Sequence, residues 1–175
     1  MATYKKGYKR VNTETILLKV IVSIIITVLV FAAVAYIYDA STQWKDYDNY
    51  TTITKYDGIL EYKNGGDEPL DDYVVYFYSD TCPNCIKIKD DVLNAGHKVN
   101  KGTEQFFLAD VTSMDDEDIN MQDFLDSVSL TSAQFGTPAL LVVVDGQFYD
   151  IYVGSTSVID ALNNIIDGNI PGFDD

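Results

Sequence analysis

The two cysteines of this 175-residue chain, Cys82 and Cys85, lie two residues apart in "YFYSDTCPNCIKIKDD", Tyr76 to Asp91. Thiols at this spacing serve as a structural bridge, as half of a metal site or as a working redox pair. A bridge closing so short a loop removes little chain entropy and would add little stability. Zinc asks for four ligands, and the one histidine, His97, reads as a solvated surface residue in a loop. The redox reading has a geometric requirement. If a helix starts at the first cysteine, its unpaired N–H groups and dipole favour a thiolate at Cys82, the attacking species. Cys85, one turn in, is then placed to resolve a mixed disulfide, and Pro83 at the first helical position forfeits no hydrogen bond.

The elements this chemistry needs are present in order. Tyr73 to Tyr78, "YVVYFY", is a β-branched and aromatic run that suits a buried central strand. From Cys82 to about Asn94, Ile86, Ile88, Val92 and Leu93 recur on a helical face, with Gly96 as the expected stop. Phe106 to Val111 reads as a second strand. Ser113 and the following acids suit a helix N-terminus, and Phe124, Leu125 and Val128 give that helix its apolar face. "FGTPALLVVVDGQFYDIYVG" then holds a strand, an Asp145-Gly146 hairpin turn and a returning strand, before an amphipathic helix over Ser157 to Ile166. Upstream, Tyr50 to Thr54 reads as a short strand, and Ile59 and Leu60 as part of a helix stopped by Gly65-Gly66. Strands alternating with helices and ending in a hairpin imply an α/β fold: a mixed sheet with helices on both faces.

The N-terminal part has a different composition. Val20 to Tyr38 runs for 19 residues without a charge, a helical length of about 28 Å against a hydrocarbon core of roughly 30 Å. Ile16 to Leu18 extend the run, Lys19 can snorkel to the interface, and Tyr36 and Tyr38 suit a headgroup belt. Lys5, Lys6, Lys9, Arg10 and Lys19 precede or open the span against Glu14 alone, which keeps the N-terminus cytoplasmic and the rest outside. "AVA", Ala33 to Ala35, resembles a signal-peptide cleavage site, but the apolar run exceeds a signal core and continues past it; a retained anchor is expected. The organisation read is a basic cytoplasmic tail over 1–15, a transmembrane helix over 16–38, a polar juxtamembrane linker over 39–49 and a folded domain over 50–175. Of 12 basic and 27 acidic residues, 7 and 26 lie beyond the span, a net charge of −19. That excess serves solubility at a cell surface, admits a cationic partner and leaves no basic patch for nucleic acid.

On these residues the chain resembles the thioredoxin superfamily over roughly Tyr50 to Asp167. "YSDTCPNC" after a hydrophobic strand is similar to the family's active-site motif, "GTPALLVVVDG" to its cis-proline segment and hairpin, and "YVG" before an amphipathic helix to its ending. The resemblance implies that Cys82 is the nucleophile and Cys85 the resolving thiol, in a loop completed by Thr81, Pro83 and Asn84. It also implies a cis Thr137–Pro138 bond that sets the Thr137 backbone beside Cys82, where it pairs with an extended substrate. The chain departs from the family where a buried acid six residues before the first cysteine is replaced by Tyr76. Asp80, two residues before Cys82, reads as a solvated turn residue. Tethered members with a "TCPxC" motif are similar to accessory proteins encoded with bacteriocin export systems of Gram-positive bacteria.

The resulting expectation is a cell-membrane, single-pass, extracytoplasmic thiol–disulfide oxidoreductase. It would act on secreted or exported proteins or peptides, with oxidation or isomerisation favoured over reduction and a further redox partner required. The Cys82–Cys85 disulfide is itself the redox group, so no other cofactor and no metal is expected. The alternative from another class is a non-catalytic binding or scaffold subunit of an export apparatus, in which the thiols are incidental.

Overall fold

The computed structural model describes residues 13–114 and 118–173. The basic residues Lys5 to Arg10 and the acids Asp115, Asp116 and Glu117 lie outside the described residues. The chain forms two units, Met1–Gln43 and Trp44–Asp175.

The first unit holds one helix, α1, Thr13–Thr42. Within it, Ile16–Tyr38 is 23 residues long with a mean hydropathy of 2.9, long and apolar enough to cross a membrane; a signal sequence meets the same criteria. Its large apolar side chains are exposed all round, so no face is reserved for a protein core. The Thr27 hydroxyl donates to the Ser23 carbonyl at 2.9 Å, which gives a polar group in this apolar stretch a partner within the helix. The helix runs on through Thr42, so Asp39 to Thr42, expected as linker, form its end.

The second unit is a four-stranded sheet of order β2-β1-β3-β4: β1 Tyr73–Tyr78, β2 Phe106–Asp110, β3 Ala139–Val144 and β4 Gln147–Val153. β1 pairs parallel with β2 (Tyr76 beside Leu108) and antiparallel with β3 (Tyr76 beside Leu140). A strand with neighbours on both sides and helices on both faces must be apolar throughout, which is why "YVVYFY" does not alternate. The β3–β4 turn places Asp145 and Gly146 at φ 51° and 67°, the left-handed pair that a tight hairpin demands. α2, Pro83–Val99, and α4, Ser155–Ile166, pack with Val74, Tyr76 and Tyr78 on one face. α3, Asp118–Ser127, packs with Tyr73, Val75 and Phe77 on the other. The fold is thioredoxin-like.

Four expectations are corrected. Trp44–Asn49 is not a linker. Its short helical turns put Tyr47 into the core, and the Tyr50 hydroxyl donates to the Leu93 carbonyl at 2.7 Å, pinning the segment to α2. The strand expected at Tyr50 to Thr54 shrinks to a single bridge, Thr52 to Leu108, because the chain turns inward to seat Ile53, Tyr56 and Ile59. For the same reason the helix expected around Ile59 is only a turn, Ile59–Glu61. Finally, α2 runs through Gly96 to Val99, which places His97 on the helix, exposed and stacked 6.2 Å from Trp44. Gly96 is needed for close approach, since a Cβ there would lie 2.5 Å from the Phe106 ring. The stop comes from Asn100, whose side chain accepts from the Gln105 and Phe106 amides at 3.0 and 2.7 Å.

Candidate functional site

β1 ends at Tyr78 and the chain turns through Ser79 to Thr81, where the Cys82 amide donates to the Ser79 carbonyl at 3.1 Å. Cys82 is the N-cap of α2: φ −79°, ψ 114°, with its Sγ accepting from the Cys85 amide at 3.2 Å. A sulfur here does the work of a serine or aspartate oxygen, accepting from a helix N–H that has no carbonyl partner. Pro83 occupies the first turn. Thr81, Pro83 and Asn84 are exposed, Cys82 is half-buried and Cys85 is fully buried; both thiols are free.

The Thr137–Pro138 peptide is cis, at the entry to β3. It brings Thr137 across to the thiols, and the Thr137 carbonyl accepts from the Cys82 thiol at 3.4 Å. The sequence-expected residues Cys82, Cys85, Pro83, Thr81, Asn84, Thr137 and Pro138 therefore converge on one end of the central strands. Asp80 is exposed in the turn.

The two sulfurs have opposite electrostatics. At Cys82 burial opposes the thiolate, but it is outweighed by hydrogen bonds from the Cys85 thiol, the Thr137 side chain and the Cys85 and Asn84 amides, so its pKa lies below that of a free thiol. At Cys85 burial again opposes charge, and here the hydrogen bond given to Cys82 and the Cys82 charge add to it, pushing the thiol up to about 11. When the pair loses its first proton, the negative charge therefore falls on the accessible sulfur and the remaining proton stays on the buried one.

Behind Cys85 lies a layer of tyrosines. Tyr47 stacks on Tyr78 at 3.9 Å, and Tyr78 lies parallel to Tyr76 at 6.0 Å. Lys89 sits 4.3 Å over the Tyr47 ring and pairs with Asp46 at 3.1 Å. Tyr76 is completely buried, and its hydroxyl, beside Cys85 and Tyr47, makes no well-formed hydrogen bond among the described residues. Tyr47 falls in the stretch whose polar composition reads as linker, so its place in this layer is not evident from the sequence. The available signal was Trp44, Tyr47 and Tyr50 at intervals of three, an aromatic stripe that a solvated linker has no use for. Among the described residues no group of three or more His, Cys, Asp or Glu side chains is placed to hold a metal.

No family model matches this chain, and neither does any curated protein. Among solved structures, it is similar to the oxidised form of mitochondrial thioredoxin 3 from Saccharomyces cerevisiae (18% identity, 69% of this chain and 96% of that one, TM-score 0.47). Plasmodium falciparum thioredoxin is similar at 18% identity (69% and 99% covered, TM-score 0.44). A mutant thioredoxin from Halobacterium salinarum is similar at 22% identity (56% and 74% covered, TM-score 0.38). What these likenesses concern is the fold; the chemistry of this site is read from its own sulfurs.

Proposed function

We propose that this protein is a membrane-tethered, extracytoplasmic thiol–disulfide oxidoreductase acting on secreted or exported proteins and peptides. The observation that carries the reading is the contrast between the two sulfurs: Cys82 half-exposed and acidic, Cys85 buried and pushed up to about 11. In the reducing direction the Cys82 thiolate attacks a substrate disulfide, forming one S–S bond and releasing one substrate thiolate. Cys85 then loses its proton and attacks the Cys82 sulfur. The mixed disulfide breaks, the substrate leaves as its second thiolate, and the protein is left oxidised by two electrons. In the oxidising direction the steps reverse. A substrate thiolate attacks Cys82, Cys85 leaves, and a second substrate thiol completes the new disulfide.

Oxidation or isomerisation is the favoured direction. A depressed Cys82 pKa stabilises the reduced protein and so makes its disulfide more oxidising. Among the described residues no carboxylate is buried to act as a base for Cys85. The basic residues ahead of α1 support an outward-facing domain, where disulfides persist. The net charge of −19 beyond the span supports cationic peptides as clients. Together with the "TCPNC" motif this makes maturation of exported bacteriocins the sharpest form of the proposal, with a further membrane or soluble partner needed to reset the pair.

The test is Cys85→Ala in the producing cells. Cys82 should then become trapped in mixed disulfides with its clients, seen as adducts that disappear on reduction and are missing from the Cys82→Ala, Cys85→Ala double variant. If both single variants and the double variant keep their partners and their cellular function, the protein is a scaffold.

A further inference from the structure

Tyr76 sits at the centre of β1, flanked in register by Leu108 and Leu140, completely buried, with a hydroxyl that lies beside the Cys85 sulfur and the Tyr47 hydroxyl but makes no well-formed hydrogen bond among the described residues. A buried hydroxyl without a partner costs roughly 1–3 kcal/mol, so a phenylalanine would pack this site at less expense. On the same strand Tyr73 is equally buried, but its hydroxyl donates to the Ile59 carbonyl at 2.7 Å and accepts from the Tyr62 amide at 3.3 Å. The orphan is therefore the tyrosine on the face that carries the thiols.

We propose that the Tyr76 hydroxyl is held in reserve as a hydrogen-bond donor to the Cys85 sulfur, used only when that sulfur carries negative charge. In the resting pair Cys85 is a neutral thiol already engaged with Cys82, and a neutral thiol is a weak acceptor. During exchange Cys85 becomes a thiolate, as attacking group in one direction and leaving group in the other, and a charge-assisted bond to it is worth roughly twice a neutral one. Burial opposes the Tyr76 phenolate, and the Tyr47 hydroxyl and the Cys85 sulfur oppose it further, so the group stays protonated. It donates but does not act as a base. The Cys85 proton goes to solvent or to the departing substrate thiolate. The other groups facing Cys85 are Cys82 on its own helix and the Thr137 side chain, while Tyr47 and Tyr78 lie behind, with Asp80 at the turn. This proposal rests on the thiol-exchange reading above.

The full-length reduced protein in detergent, mixed with an aromatic nitrobenzoate disulfide, separates the two. Cys82 attack releases a first coloured thiolate, and Cys85 attack on the resulting mixed disulfide releases a second. Tyr76→Phe should leave the first phase unchanged, slow the second about tenfold, and raise its pH midpoint by about one unit, the size expected for a bond to a charged group. Placing 3-fluorotyrosine at position 76, a stronger donor of nearly equal size, should lower that midpoint, which covers the case of a poorly folded phenylalanine variant. A second phase whose rate and midpoint move in neither variant overturns the role of Tyr76 and leaves the exchange reading intact. A wild-type protein with no fast first phase overturns that reading itself.

Discussion

The two faces of the central sheet are built from alternate residues of the same strands and are packed by different rules. On the α3 face, Phe77, Phe124 and Phe135 meet edge-on or tilted at 5.2–5.8 Å, and the buried Tyr73 hydroxyl has two partners. On the α2 face, tyrosines stack behind a buried thiol, and the Tyr76 hydroxyl has no well-formed partner among the described residues. The first face bonds its buried hydroxyl fully. The second leaves one without a well-formed partner beside the sulfurs, as sites of chemistry commonly do.

The comparison can be broken by exchanging the properties of the faces. The largest effect is expected from Phe77→Ala, which should cost about 3–5 kcal/mol in chemical denaturation. Because it lies opposite the thiols, it should leave the pH midpoint of Cys82 alkylation in the folded protein unmoved; a moved midpoint would mean the faces are coupled. Next, Tyr73→Phe should cost about 1–3 kcal/mol, since it strands the Ile59 carbonyl and the Tyr62 amide. Under the same denaturation Tyr76→Phe should be neutral or stabilising, and equal losses in the two variants would erase the distinction.

The smallest effect lies in the pH dependence of folding. Burial pushes Tyr73 up to about 12 from an unfolded value near 10. Below pH 10 the tyrosine is neutral in both states and its contribution is intact. As pH rises toward 12 the unfolded chain ionises first, and that contribution is lost. Denaturation midpoints should therefore fall over this window, and fall less steeply in Tyr73→Phe.

Much of this could be read from the chain. The uninterrupted "YVVYFY" announced a strand covered on both faces, the Asp145-Gly146 pair fixed the hairpin, and Cys82-Pro83 marked the start of α2. These signals are local: a strand needs its apolar run, a tight turn its positive φ, a helix its cap. Trp44–Asn49 went unread because its polar composition hides an aromatic stripe whose partners are on α2 and β1. Gly96 suggests a stop because a glycine's usual meaning is local, whereas here it makes room for the Phe106 ring.

The sequence by itself determined the two-part organisation, the order of elements and the pair of sulfurs at a helix start, because each depends on neighbours a few residues away. Only the tertiary structure decided that Cys85 is fully buried while Cys82 is not, that the Thr137 carbonyl comes within 3.4 Å of the Cys82 sulfur, and that of two buried tyrosines on one strand the Tyr73 hydroxyl is well bonded and the Tyr76 hydroxyl is not. Those outcomes turn on burial and on hydrogen bonds between residues up to 55 positions apart, and no local pattern encodes the distance between groups that meet only when the chain closes.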